Sequence, residues 1–552
     1  MRFFSFLILV FLVTLNSHAQ HANLLLGNNY SSHFNHLIYN GNSNYHTSFK
    51  PIIKSDLNFD IDSVLQEKNI SDYSNWYLRK LFSEHFIILK GEDYKVLASP
   101  VINLSKGKEV NEGKNTFTNT RGFLIEGDLG KKISFFSSFV ENQSIFPNYL
   151  DLSIRLGPEY GWIVPGQGIA RDFKQTGFDY AMSSGYVSYR ANKMFAVQFG
   201  HGKHFIGDGY RSLLLSDNTF NYPYLRIQTT FWKVQYTNLY TEFQDINYFS
   251  NNGLANYDQM GYAKKYMSAH YLSVNITKKL NISLFESVIW RMNHAPGSSG
   301  FDVNYLNPIA MLRPIEFSVN SPDNVLVGVN GKYKLPLSSY LYGQLVLDEF
   351  SLNDLKEKNG FWANKFGYQL GFKMFNALKV ENLTFQTEYN YVRPYTYAHH
   401  NPQQNYAHYN QPLAHPLGAN FSEFLIIANY RWKRWEVDGK LIFAKYGGSI
   451  ANDSIPYSYG NDLYESTGIF EEPHGFIYAG RPSDFGIEMY QGNLTTVNLK
   501  NFNIAYVVNP KTNLKINLGL TLRDLKSEEA EMQTQFINFG IQSDLFNHYY
   551  DF

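Results

Sequence analysis

The sequence predicts an all-β fold: a transmembrane antiparallel β-barrel of about eighteen strands, with a short, partly helical N-terminal periplasmic segment and long extracellular loops. Three observations carry this reading. Segments of about ten residues alternate apolar and polar side chains and recur down the chain. The connections between them switch between tight turns and long loops. The chain is also rich in aromatics, with 42 Tyr and 44 Phe in 552 residues, and after its leader it has no apolar run of about 18 residues that would make a membrane helix.

Residues 1–19 read as a secretory signal. Arg2 precedes the apolar run Phe3 to Val13, and Ser17-His18-Ala19 offers a small-x-small cleavage site before Gln20. The chain has no cysteine, so neither a lipidated N-terminus nor a disulfide framework is expected. Residues 20–93 are rich in Asn, His and Ser, with a helix-like patch from Ser71 to His85 that places Trp76, Leu78, Leu81 and Phe82 on one face. They read as a periplasmic N-terminal segment or plug. The barrel is assigned to 94–552.

Within it, eighteen strands are expected near 94–104, 118–129, 132–141, 183–190, 194–200, 222–231, 232–243, 267–277, 281–290, 324–334, 338–349, 365–374, 380–392, 422–432, 435–446, 495–508, 514–523 and 533–543. The hairpin from Phe366 to Tyr391 is the clearest. Phe366, Tyr368, Leu370, Phe372 and Met374 alternate with Gly367, Gln369, Gly371 and Lys373, and after the turn Leu383, Phe385, Tyr389 and Tyr391 alternate with Thr384, Gln386, Glu388 and Asn390. Arginine at outward Leu370 or Phe385 is expected to cost about 2–4 kcal/mol, and far less at inward Gln369. Tight turns such as Gly130-Lys131, Asn192-Lys193, Lys278-Lys279, Lys433-Arg434 and Asn509-Pro510 fit the periplasmic rim. An even strand number returns the C-terminus to that side, where the terminal Tyr549-Tyr550-Asp551-Phe552 reads as an insertion signal.

The charge balance, 48 basic against 48 acidic residues, leaves no electrostatic footprint for nucleic acid. The distinctive chemistry falls on the long loops. Gly200 to Ser216 combines four glycines with Lys203, Asp208, Tyr210 and Arg211; its glycine spacing is not that of a phosphate-binding loop. It reads either as a bend packed in the barrel or as a ligand contact. Arg313 and Glu316 are spaced to pair and to pin a loop across the lumen. His399, His400, His408 and His415 cluster with Tyr406, Tyr409 and Asn420, but their spacing is not that of a zinc site and no HExxH occurs, so no metal is expected. Tyr, His and Asn suit sugar recognition, because aromatic faces stack on pyranose CH groups while amides and imidazoles bond hydroxyls. A packed loop plug fits the same residues. The candidate ligand residues are therefore Lys203, Asp208, Tyr210, Arg211, His408 and His415. With no GxSxG elbow, no catalytic residue and no cofactor are assigned.

Four motifs, in order along the chain, resemble the Wzi-like capsule-assembly barrels of the outer membrane and, among them, the RemB family of Bacteroidetes gliding-motility proteins. They are Tyr45-His46-Thr47-Ser48-Phe49-Lys50-Pro51; Ile206 to Ser216; Asn307-Pro308 with Arg313-Pro314-Ile315-Glu316-Phe317; and Leu413 to Phe421. The resemblance implies an eighteen-stranded barrel in the outer membrane of a Gram-negative, Bacteroidetes-like bacterium, with external loops folded over the pore. It further implies a non-enzymatic role in gliding motility or surface-polysaccharide attachment. The implied partners are outer-membrane lipid, surface polysaccharide, and gliding or type IX secretion components. Two alternatives stay open: an accessory barrel docked to that translocon, and a plugged porin-like channel.

Overall fold

Alternation of outward apolar and inward polar residues closes into a single antiparallel barrel in the computed structural model. The model describes residues 22–39, 44–65, 73, 75–156, 162–249, 261–291, 302–309, 311–319, 323–450, 457–468 and 480–552; the expected leader lies outside them. The wall consists of β1 Tyr94–Glu109, β2 Lys114–Leu129, β3 Ile133–Ile145, β4 Gly177–Arg190, β5 Phe195–Gly202, β6 Tyr222–Phe231, β7 Val234–Phe249, β8 Tyr262–Asn275, β9 Leu280–Arg291, β10 Asn324–Leu335, β11 Ser339–Leu347, β12 Phe366–Phe375, β13 Leu383–Val392, β14 Phe421–Trp432, β15 Trp435–Gly448, β16 Asn493–Asn509, β17 Leu514–Lys526 and β18 Glu531–Ser543. Each strand pairs with its sequence neighbour, and β18 closes on β1 from Phe536↔Glu109 to Gln542↔Asn103. All eighteen expected strands are present. Closure leaves no open edge within the wall, so the strands' backbone groups find ladder partners across strands, as a lipid environment demands.

Short turns gather at one end. Trp232-Lys233 and Lys433-Arg434 link their strands directly, and Trp232 and Lys433 have φ of 56° and 54°, which matches the twist of a tight hairpin. The turn after β12 is longer than expected: Asn376, Leu378 and Lys379 all adopt positive φ, so β13 starts at Leu383 rather than 380. Outward side chains are apolar, with Phe199 70% and Leu370 63% exposed. Near the short turns Trp232, Trp432, Trp435, Tyr189 and Tyr333 are exposed as well, an aromatic girdle of the kind found at a membrane interface.

The core lies inside the wall. Phe49, Ile206, Leu213, Leu214, Leu215, Tyr397, Tyr406 and Leu413, from the N-terminal segment and two long loops, pack on inward residues such as Tyr222, Tyr271 and Phe285. Residues 22–39 and 44–65 engage inward side chains close to the short turns: Asp56 pairs with Arg190 at 2.6 Å, Lys54 with Glu126 at 2.8 Å, and Tyr39 stacks on Tyr340 with ring centroids 5.0 Å apart. Phe49–Lys50 pairs with Phe205–Ile206 as a small sheet inside the lumen. Farther on, the expected helical patch is the helix Trp76–Phe82, and Ile87–Lys90, short of the expected boundary at 93, pairs with β1 as an extra piece of wall.

The C-terminus departs from expectation. The last strand ends at Ser543, and residues 544–552 fold back into the lumen instead of ending the wall with an aromatic. Tyr549 donates to Asp217 at 2.8 Å, Tyr149 donates to the Tyr550 carbonyl at 2.9 Å, and Arg523 reaches the Phe552 oxygen at 3.0 Å. The reason is electrostatic: Asp551 meets Arg211 and Lys440 inside the barrel.

Candidate functional site

The loop after β5 is held from three sides. Gly207 donates its N–H to the Ser48 carbonyl at 2.7 Å with φ of 146°, a conformation that suits glycine. At Gly209 a Cβ would run into the Glu388 carboxylate and the Tyr342 ring, so the backbone can approach the wall only because the side chain is absent. Glu388 then accepts the next two backbone N–H groups, Tyr210 at 2.8 Å and Arg211 at 3.1 Å, together with the Tyr342 hydroxyl at 2.8 Å. Beyond it, Gln344 donates to the Ile206 carbonyl at 2.8 Å and accepts the Leu213 N–H at 2.8 Å.

Arg211 is the hub. Its guanidinium donates to Glu423 at 3.0 Å and to the Asp551 carboxylate and carbonyl at 3.1 and 3.0 Å, and the side chain is 1% exposed. Tyr210 donates to Asp551 at 2.6 Å and accepts from Lys440 at 2.8 Å. Burial pushes the Asp551 carboxyl up, but Arg211 and Lys440 outweigh it and hold it below the ordinary range. Asp208 forms a second anchor: it accepts from Thr47 at 2.6 Å and Ser48 at 3.1 Å and pairs with Lys332 at 3.1 Å. Burial opposes its charge, yet Lys332, Lys50 and the Thr47 hydroxyl hold it at about 2. A buried pair with satisfied partners contributes little net stability, but losing one partner strands the other.

The histidine loop closes the same cluster. His415 Nε2 donates to Glu423 at 2.9 Å while Nδ1 accepts the Leu417 N–H at 3.2 Å, and the ring stacks on Phe421. His408 Nδ1 accepts the Gln244 N–H at 3.0 Å and Nε2 donates to the Asn221 carbonyl at 3.2 Å. These partners fix one neutral tautomer in each ring. Burial lowers both pKa values, to about 3 for His408; for His415 the nearby Glu423 opposes the shift without reversing it. The two loops are joined by Ser216 N–H to the Leu413 carbonyl at 2.7 Å, and by the Tyr397 and Tyr406 hydroxyls donating to the Leu213 and Leu214 carbonyls, both at 2.7 Å.

Of the six candidate ligand residues, Asp208, Arg211, His408 and His415 are thus enclosed and fully partnered, and in this structure they hold the loops. Lys203 donates to the Gly166 and Asp217 carbonyls at 2.7 and 3.2 Å. Tyr210 lines a polar cavity of about 340 Å³. Arg313 and Glu316 do meet at 3.0 Å, but both lie on the helix Leu312–Val319, with Arg313 half exposed. A pair within one helix cannot cross the lumen. The wall contact is made instead by Glu286, which accepts the backbone N–H groups of Leu312 and of Arg313, the latter at 3.1 Å. Sequence reasoning missed Glu423, Lys440 and Asp551, which lie far from the loop in sequence. Their only signal is a charge on an inward strand position or in an aromatic tail.

No family model matches the chain, and neither does any curated protein. Among solved structures it is similar to Wzi, an outer-membrane protein involved in group 1 capsule assembly in Escherichia coli and described as a carbohydrate-binding β-barrel: 13% identity, a TM-score of 0.52, and coverage of 95% of this chain and 100% of that one. Matches to two Pseudomonas aeruginosa barrels are weaker. OprD has 12% identity, a TM-score of 0.40 and coverage of 84% and 96%; OccK1 has 8%, 0.42, and 82% and 98%. The first likeness is one of fold, that of an outer-membrane β-barrel.

Proposed function

We propose that this protein resides in the outer membrane and attaches polysaccharide at the cell surface in support of gliding motility, without catalysing a reaction. The observation that carries the reading is the filling of the lumen by the chain's own loops, N-terminal segment and C-terminal tail, centred on Arg211 between Glu423 and Asp551. A wall that spans lipid around a stoppered lumen is built to hold rather than to conduct. The short turns then face the periplasm and the long loops the outside. Polysaccharide as the partner is supported by the four sequence motifs and by the fold likeness to a carbohydrate-binding barrel; the motility role and the RemB affinity rest on the motifs alone.

A strain lacking the gene tests this. Capsule retention and colony spreading should both fall while secretion of unrelated cargo is unchanged. Normal retention with failed secretion would replace the reading with that of a translocon accessory.

A further inference from the structure

A polar cavity of the lumen lies between the wall, the N-terminal segment and the C-terminal tail. Cross-strand register builds its floor from β12 to β17. Lys373, Gln386, Ile427, Lys440 and Asn501 stand opposite one another in turn on five consecutive strands, and Asn517 and Gly519 continue the lining on β17. Two residues nearer the short turns, Thr384, Asn429, Asp438 and Asn503 form a second row. The facing side is Asn28, Asn29 and Ser32 of the N-terminal segment with Phe546 and Tyr549 of the tail. The cavity measures about 340 Å³, within the range of about 300–1,000 Å³ that holds small ligands. Its polar lining is mostly amide, and each amide both donates and accepts, as sugar hydroxyls do.

The charges of the chamber are accounted for, with one exception. Lys440 is held by Asp551 and Tyr210. Asp438 accepts from Asn429 at 2.6 Å and Asn503 at 3.4 Å, and Asp544 accepts from Asn29 at 2.7 Å and faces Lys515 at 3.6 Å. The carboxylates nearest Lys373, Asp208 and Glu388, are committed to Lys332 and to the loop backbone. Lys373 lines the cavity, and its ammonium, among the described residues, has no hydrogen-bond or ion-pair partner; it lies 5.8 Å from the Phe375 ring centroid. In the same chamber Asn517 Oδ1 is buried without a partner. An ammonium without a direct partner at one end of two amide-rich rows, with aromatic faces opposite, describes the complement of a hydroxyl-rich chain carrying a carboxylate.

We infer that this chamber binds an acidic oligosaccharide, with Lys373 taking a uronate carboxylate and Asn501, Asn503 and Asn517 hydroxyls of the sugars farther along the chain. The inference rests on the polysaccharide reading above but places the contact inside the barrel and on the periplasmic side. The full mature chain in detergent is titrated calorimetrically with tetragalacturonate and with maltotetraose. Tetragalacturonate should bind at least tenfold more tightly; Lys373→Gln should remove that preference, and Asn503→Leu should weaken both sugars. Both variants should keep the heat-resistant folded band of the parent on gels. Equal binding of the two sugars, binding of neither, or an acid preference that survives Lys373→Gln would overturn the inference. Such a result, with capsule retention still dependent on the gene, would leave the surface role standing and remove only the chamber.

Discussion

Arg211→Met removes the hub of the luminal cluster while keeping a long apolar side chain. In the parent the guanidinium spans Glu423 and Asp551 at 3.0 to 3.3 Å. After the change Glu423 keeps only neutral partners, His415 at 2.9 Å and Asn390 at 3.1 Å, whereas Asp551 keeps Lys440 and Tyr210. One buried carboxylate is left without a cation, which costs about 3–5 kcal/mol. Adding Glu423→Gln removes that charge, so the double variant should lose less than the single one. Urea unfolding in phospholipid vesicles, followed by tryptophan fluorescence and extrapolated to water, measures the global term, and hydrogen exchange over 207–216 measures the local one. A single variant within about 1 kcal/mol of the parent, with unchanged exchange in the loop, would refute the idea that this cluster holds the plug.

Three further outcomes follow from the same geometry. Leu370→Arg, on the lipid-facing side, should cost about 2–4 kcal/mol in the same urea assay, whereas Thr384→Arg, on the cavity side, should cost well under half of that; equal costs would mean the faces are reversed. His408 and His415 are neutral when folded and have lowered pKa values, so the unfolded loop binds more protons below its ordinary value near 6.5. Their contribution is full above pH 6.5 and declines as pH falls toward 3. Protection factors over 399–420, corrected for the pH dependence of intrinsic exchange, should fall between pH 7.5 and 5, and flat protection across that interval would contradict the tautomers assigned. Deleting 549–552 removes the Tyr549 contact of Asp217, the Asp551 contact of Arg211 and the Phe552 contact of Arg523 together, and should speed proteolysis of 207–216 without dissolving the wall. Cleavage at the parent rate would mean that the tail is a bystander.

The wall was legible in the sequence because its rule is local. Period-two alternation and turn spacing need only neighbours along the chain, which is why Phe366 to Tyr391 could be read face by face. The interior was not legible, because its partners are set by closure of the barrel. Nothing near Arg211 indicates that Glu423 and Asp551 will reach it, and nothing near Phe552 indicates that Arg523 will. Gln369, where arginine is expected to cost far less than at Leu370, meets the same limit: it is fully buried and donates to the Arg211 carbonyl at 3.0 Å and to Asn390 at 2.8 Å, so a second cation there would press on the hub. Arg313 and Glu316 do pair, but a helix at that position makes their contact local.

The claim that the protein's own chain closes the lumen is tested most directly by the current through the purified protein in a planar bilayer. The parent should show no steady conductance, and the combined removal of 544–552 and the Arg211→Met change should produce open events. A large, stable open state in the parent would contradict the plug and return the protein to the class of diffusive channels.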